Sequence, residues 1–359
     1  MFRIRTVLLA CILLGSTISC YSTLSEARSR PAQTVIAEAL SPLEPLGYAG
    51  LYVGQTGGVI LAAGGTNFPG EPVWKNGKKA WYDHISILDG DTWRAVGRLP
   101  RPMAMGAAIT TPRGVLIVGG GDEKEVFDDV FLLRYAGGQI IREDWPAFPK
   151  KIMASAAALI GSRVYVVAGH SDLSPMTNGP MAEMWSTNLD DPTHSWRPEP
   201  PIPAEPRWLP VVGTDGQSLF VMSGFSRKTD RVEKPAIHCL SDVWKFTPDA
   251  NGGQWQRLAD LPRANAGAPT PAPYHGGELF LLGGGVDDSN FGVPMDKRPP
   301  FPATITAVDV ETGKSRVIGQ VRSSVVAAGT APWKGGCAVV SGEVRAGVRT
   351  IENWVYRFR

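Results

Sequence analysis

The chain has 359 residues, of which 43% are hydrophobic and 19% charged, a balance that excludes an intrinsically disordered protein. A net charge of +2 excludes the basic footprint of a nucleic-acid binder. With 41 glycines, 30 prolines and 11 tryptophans, the composition points to an all-β chain of short strands and many turns.

At the N-terminus, Arg3 and Arg5 precede the apolar run 7-VLLACILLGSTI-18. That run is too short to span a bilayer and has the form of a secretory signal. Two processing points fit it. Ser25-Glu26-Ala27 is a small-x-small site, whereas Thr17-Ile18-Ser19-Cys20 resembles a lipoprotein signal that places a lipid on Cys20. Residues 1–27 are therefore expected to be a signal peptide (or to end before Cys20), residues 28–33 a spacer, and 34–359 the folded region. Either route predicts an exported protein, periplasmic or membrane-anchored. The body of the chain holds Cys239 and Cys337, which fall in different repeats, and no CxxC or Cys/His spacing marks a metal site.

From residue 59 onward a β-run ending in a pair of small residues recurs: 59-VILAAGG-65, 115-VLIVGG-120, 164-VYVVAG-169, 219-LFVMSG-224, 279-LFLLGG-284 and 338-AVVSG-342. The closing glycines are 55, 49, 55, 60 and 58 residues apart. A loop follows each pair, then a strand that in most repeats has an acidic start, such as 128-DDVFLL-133 or 242-DVWKFTP-248. A further strand carries Trp93, Trp145, Trp196 or Trp255, with Val317 in the fifth repeat. Runs of small residues, 105-MGAAITT-111 and 266-AGAPTPA-272 among them, predict one more strand before each β-run.

Four strands in about 50 residues, marked by paired small residues and tryptophan, resemble the kelch repeat. The resemblance implies a six-bladed β-propeller. The sixth unit ends after its third strand, and 34-TVIAEAL-40 is expected to supply the missing one and close the ring. Four long loops then share one rim: 66–80, 170–182, 225–241 and 286–303. The turns that carry Arg101, Arg207 and Arg263 lie on the same rim, either as binders of an anionic ligand or as recurring partners of the blade-to-blade turn.

The sixth repeat continues as 341-SGEVRAGVRT-350, with Glu343 directly after the small pair and Arg345 and Arg349 close behind. This step, together with 62-AAGGTNFP-69 and 77-GKKAWYDHI-85, resembles the N-acetylneuraminate epimerases, or sialic acid mutarotases, in their cyclically permuted form. Ala346 departs from the pattern of the unpermuted members. The resemblance implies an isomerase that interconverts the α and β anomers of N-acetylneuraminate or a related 2-keto sugar acid without a cofactor. By it, Glu343 is the proton acceptor and Arg349 the catalytic partner holding the substrate carboxylate. Arg345, Arg207, Arg101, Arg263, Asn67 and Trp74 are the expected substrate-binding set, and Phe68 is a further candidate to stack on the sugar. The proton donor is open among Tyr82, His84, His170, His238 and water. A non-catalytic kelch ring that binds a glycan or protein is the competing reading. A sialidase is not favoured, because Ser-x-Asp-x-Gly-x-x-Trp repeats are absent.

Overall fold

The computed structural model describes residues 34–174, 179–228, 236–286 and 288–359. The expected signal peptide, Cys20 and the spacer therefore lie outside the described residues. The rest is all-β, with six antiparallel sheets of four main strands each, arranged as the blades of a propeller. Blades one to five run in simple chain order from the inner strand outward. Blade six takes its outer strand from the other end of the chain: Val35–Leu40 pairs antiparallel with Asn353–Phe358, from Val35 opposite Phe358 to Leu40 opposite Asn353.

The alternation of the strands explains why the blades stack. Each sheet presents apolar side chains to both neighbours, and neither face can stay in water. Six apolar clusters result, one in each interface between blades. Tyr52 and Leu61 of blade one meet Ile117 and Phe131 of blade two, for instance, and all four are fully buried. The tryptophan mark is a fastener as well as a filler. The indole N–H of Trp93 donates to Ser41 O at 2.9 Å, that of Trp196 to Pro146 O at 3.3 Å, and that of Trp255 to Pro200 O at 2.9 Å. In each case the outermost strand is tied to the end of the blade before it. Val317 has no such donor, and it is half exposed.

The paired small residues have a backbone cause. Gly64, Gly119, Ala168, Ser223, Gly283 and Ser341 all have φ between 55° and 71°, and a glycine with positive φ follows each of them. Two successive left-handed residues turn the chain sharply at the top of the second strand, and the second position tolerates only glycine. At Gly342 a Cβ would lie 2.7 Å from Val325 Cβ, with φ at 121°. Gly342→Ala is expected to lower the unfolding free energy by about 1–3 kcal/mol in denaturant titrations. Wild-type stability in that variant would show that the turn is not constrained in this way.

A second set of left-handed residues closes the axis. Gly50, Met105, Ala154, Leu209, Gly267 and Ala327, one from each blade, have φ between 48° and 71°. Their backbones form a closed circuit of hydrogen bonds. Gly50 N–H donates to Ala327 O, Ala327 to Gly267, Gly267 to Leu209, Leu209 to Ala154, Ala154 to Met105 and Met105 to Gly50, all at 2.6–2.9 Å. Four of the six are not glycine, and the strain of their conformation is offset by this mutual pairing.

Two sequence expectations need correction here. The segment 266–272 is not a regular strand: the inner strand of blade five is Tyr274–His275, while Thr270 and Ala272 make isolated bridges to Gly329 and Gly213 of the adjoining blades. Prolines at 269, 271 and 273 remove the donors that a continuous ladder needs. Much of the presumed loop 225–241 is paired strand, with Phe225 opposite Cys239 and Ser226 opposite His238. Cys239 and Cys337 are not joined in a disulfide.

Candidate active site

Above the ring of left-handed residues the long loops enclose a cavity of about 380 Å³, within the usual range for small-molecule sites. Met105, Ala154, Leu209 and Ala327 form its floor. One side is apolar and aromatic, built from Trp208, Phe225 and Phe291. Trp208 and Phe225 stack at 5.7 Å between centroids, and Phe291 meets Phe225 edge-on at 6.3 Å. Among the described residues, the charged groups bordering it are Glu343, Arg349, Lys79 and Arg298, with the imidazole of His170.

Glu343 and Arg349 are placed by a short hairpin in which Glu343–Arg345 pairs with Val348–Arg349. Gly347, in the left-handed region, makes the turn between them. The base of the hairpin is clamped on both sides. Glu343 and Val326 exchange backbone hydrogen bonds at 2.9–3.0 Å, and Gly342 N–H donates to Tyr48 O at 2.8 Å. The buried Ser341 hydroxyl accepts from Tyr48 N–H at 2.7 Å, and Asn353 Oδ1 accepts from Ser341 N–H at 2.9 Å. The side chain that follows has little freedom.

That order brings the two charges together. Arg349 Nη2 lies 3.0 Å from Glu343 Oε2, and Gly347 N–H donates to Glu343 Oε1 at 3.0 Å. The Glu343 side chain is 19% exposed and that of Arg349 only 6%. Phe68 covers the guanidinium at 4.7 Å from its ring centroid. Burial lowers the Arg349 pKa from its ordinary value, and Glu343 opposes that shift. Most telling, Nε and Nη1 of Arg349 are buried with no hydrogen-bond partner among the described residues. Buried, unanswered guanidinium donors cost free energy unless an acceptor fills them. A ligand carboxylate could take one of these donors together with the second Nη2 hydrogen as a fork.

The other expected binding residues do not border the cavity. Arg207 is fully buried and holds Asp242 with two bonds, 2.7 and 2.8 Å, while also donating to Ser223 O and Glu205 O. Arg101 pairs with Asp129 and lies over the Phe127 ring, and Arg263 donates to Gly284 O and Thr304 Oγ1. Each of these arginines ties the turn entering a blade to that blade's third strand, which corrects the expectation that they bind ligand. Asn67 is nearly buried, with its amide donating to Gly47 O and its oxygen accepting from Phe68 N–H, so it shapes the loop. Arg345 stacks on Trp74 at 4.9 Å and donates to Asp296 O at 3.2 Å, so these two join neighbouring loops instead of facing a substrate. Phe68 likewise stacks on Arg349 and does not border the cavity.

Of the open proton donors, His84 sits against Asp83 and is exposed, and His238 lies 3.0 Å from Glu205. Tyr82 packs against Tyr48 and His84. Only His170 of the named side chains borders the cavity. Lys79 lies in the loop 77-GKKAWYDHI-85, where a lysine carries no periodic signal that marks it as a site residue. It reaches the cavity because Thr66 and Asn67 pair with Ala80 and Trp81, which folds the loop back over the ring.

The profile of the family described as N-acetylneuraminate epimerase matches residues 26–141. The chain is similar to the N-acetylneuraminate epimerases. That of Brucella suis is 41% identical over 109 residues, covering 27% of this chain and 28% of the relative. That of Vibrio cholerae is 38% identical over 104 residues, covering 26% and 27%. That of Haemophilus influenzae is 24% identical over 241 residues, 60% of each chain. The matched stretches thus span from about a quarter to three fifths of these relatives' lengths. Among solved structures, that of YjhT superposes with a TM-score of 0.66 at 14% identity, over 88% of this chain and 98% of that one, a likeness of fold.

Proposed function

We propose that the chain is an exported isomerase that accelerates α/β anomer interconversion of N-acetylneuraminate or a related 2-keto sugar acid. The observation that carries this reading is the Glu343–Arg349 pair at the cavity, with two buried guanidinium nitrogens left without an acceptor. An anionic ligand completes that arrangement, and the aromatic side suits the apolar face and acyl group of an N-acylated sugar. Glu343 then acts as general base on the anomeric hydroxyl while Arg349 fixes the carboxylate and orients the ring. The similarity to proteins named N-acetylneuraminate epimerase supports the same substrate class. Export, to the periplasm or to a lipid anchor at Cys20, is supported by Arg3, Arg5 and the apolar run that follows them.

The test is one-dimensional proton NMR of freshly released α-N-acetylneuraminate at mildly acidic pH. The decay of the α-anomer's C3 protons is followed with and without protein. Faster decay with the protein supports the isomerase. Equal decay, with the sugar still bound, would leave a binding propeller instead.

A further inference from the structure

Ring opening of a cyclic hemiketal needs an acid as well as a base, and the geometry narrows the choice. His170 is the histidine that borders the cavity, but its Nδ1 lies 2.6 Å from Asp172 O, so Nδ1 carries the hydrogen. Burial lowers the His170 pKa from its ordinary value, with contacts to Asp172 opposing. With Nδ1–H engaged on that carbonyl, the neutral ring presents only a lone pair at Nε2 to a cavity occupant. Lys79 is different. It borders the same cavity as Glu343 and Arg349, and among the described residues no hydrogen bond or ion pair claims its ammonium, which lies 5.4 Å from the Trp81 ring centroid.

From this placement we infer that Lys79 is the proton donor to the ring oxygen of the sugar, a role that rests on the isomerase reading above. The step balances. Glu343 takes the proton of the anomeric hydroxyl, whose O–H electrons become the carbonyl π bond. The bond from the anomeric carbon to the ring oxygen breaks, its pair stays on that oxygen, and a Lys79 proton joins it. The open-chain ketone turns its other face. The hydroxyl re-adds, Lys79 recovers its proton from the ring oxygen, and Glu343 returns its own to the new anomeric oxygen. Both side chains end as they began, and nothing is oxidised or reduced.

The electrostatics fit the role. Burial, and next the like charge of Arg349, lower the Lys79 pKa below the ordinary lysine value, and Glu343 opposes them. Because the residue as a whole stays exposed, solvent limits the shift. A lysine lowered in this way is a better acid near neutral pH than an unperturbed one. Among the described residues, Arg298 and His170 are the other titratable groups bordering the cavity.

Lys79→Met and Lys79→Arg distinguish a proton donor from a simple cation. Arginine keeps the charge but does not release a proton in this pH range. Both variants are expected to lose about 10²-fold or more in kcat for anomer exchange, with KM little changed. The wild-type rate falls as pH rises through the lysine pKa, and that alkaline limb is absent from the residual activity of either variant. Added methylammonium is expected to restore part of the rate to Lys79→Ala. The inference is overturned if Lys79→Arg keeps wild-type kcat, or if Lys79→Met raises only KM, which marks a carboxylate clamp. If wild-type protein itself fails to speed α-anomer decay, the isomerase reading falls, and the inference with it. Thermal melts of each variant separate either result from misfolding.

Discussion

Glu343→Gln is expected to reduce protein-accelerated anomer exchange by about 10²–10⁴-fold while leaving the fold intact. The amide is nearly isosteric and can still accept from Gly347 N–H, which now donates to Glu343 Oε1 at 3.0 Å. What it cannot do is accept a proton from an anomeric hydroxyl. The variant also removes the negative partner 3.0 Å from Arg349, so the guanidinium remains free to hold an anionic ligand. Binding of the sugar acid should therefore survive, with calorimetry giving an affinity near or above that of wild type. Undiminished α-anomer decay in the NMR assay would remove Glu343 from the mechanism. Loss of binding and activity together would make it a structural member of the hairpin.

The second large effect concerns stability. Arg207→Met should lower the unfolding free energy by about 3–5 kcal/mol, because removing one partner strands the other charge in the interior. Arg207 is fully buried and Asp242 is 15% exposed. Burial pushes the Asp242 pKa up, but the hydrogen bonds and charge of Arg207, with the Trp244 indole, outweigh it and leave the pKa below the ordinary carboxylate value. The sign of the pH dependence follows. In wild type, Asp242 contributes stability that is present above its unfolded pKa and is lost as pH falls through the folded one. In the variant, the stranded carboxylate is relieved by protonation. The stability gap between the two proteins should thus narrow on acidification, as read from urea midpoints. A gap that is small, or constant with pH, would show that this pair does not hold the blade.

The six-bladed architecture was legible because its marks are backbone necessities. A small residue followed by glycine recurs wherever two left-handed conformations end a strand, and tryptophan recurs where an indole reaches the previous blade. The place of Glu343 was legible for the same reason, since it follows directly on Ser341-Gly342, but the hairpin that holds it was not. The arginines were harder. Arg101, Arg207 and Arg263 occupy the correct rim, yet side-chain pairing with Asp129, Asp242 and Thr304 turns them away from the cavity. Which partner an arginine selects is decided by strands far apart in the chain, and spacing alone does not carry that information. Lys79 was hidden for a related reason. Its place depends on the pairing of Thr66 and Asn67 with Ala80 and Trp81, across a loop whose sequence shows no period.

The circuit at the axis has an electrical consequence. Six peptide units that donate head to tail around a closed loop carry dipoles that cancel, unlike those aligned in a helix. Every N–H in the circuit is already engaged. The base of the chamber therefore exerts almost no field and offers no donors to an occupant. Sign, strength and selectivity of attraction are left to the loops above, where Arg349, Lys79 and Glu343 reside. Changes to those loop side chains would alter the charge of the guest the chamber attracts, with no alteration to the frame that supports them.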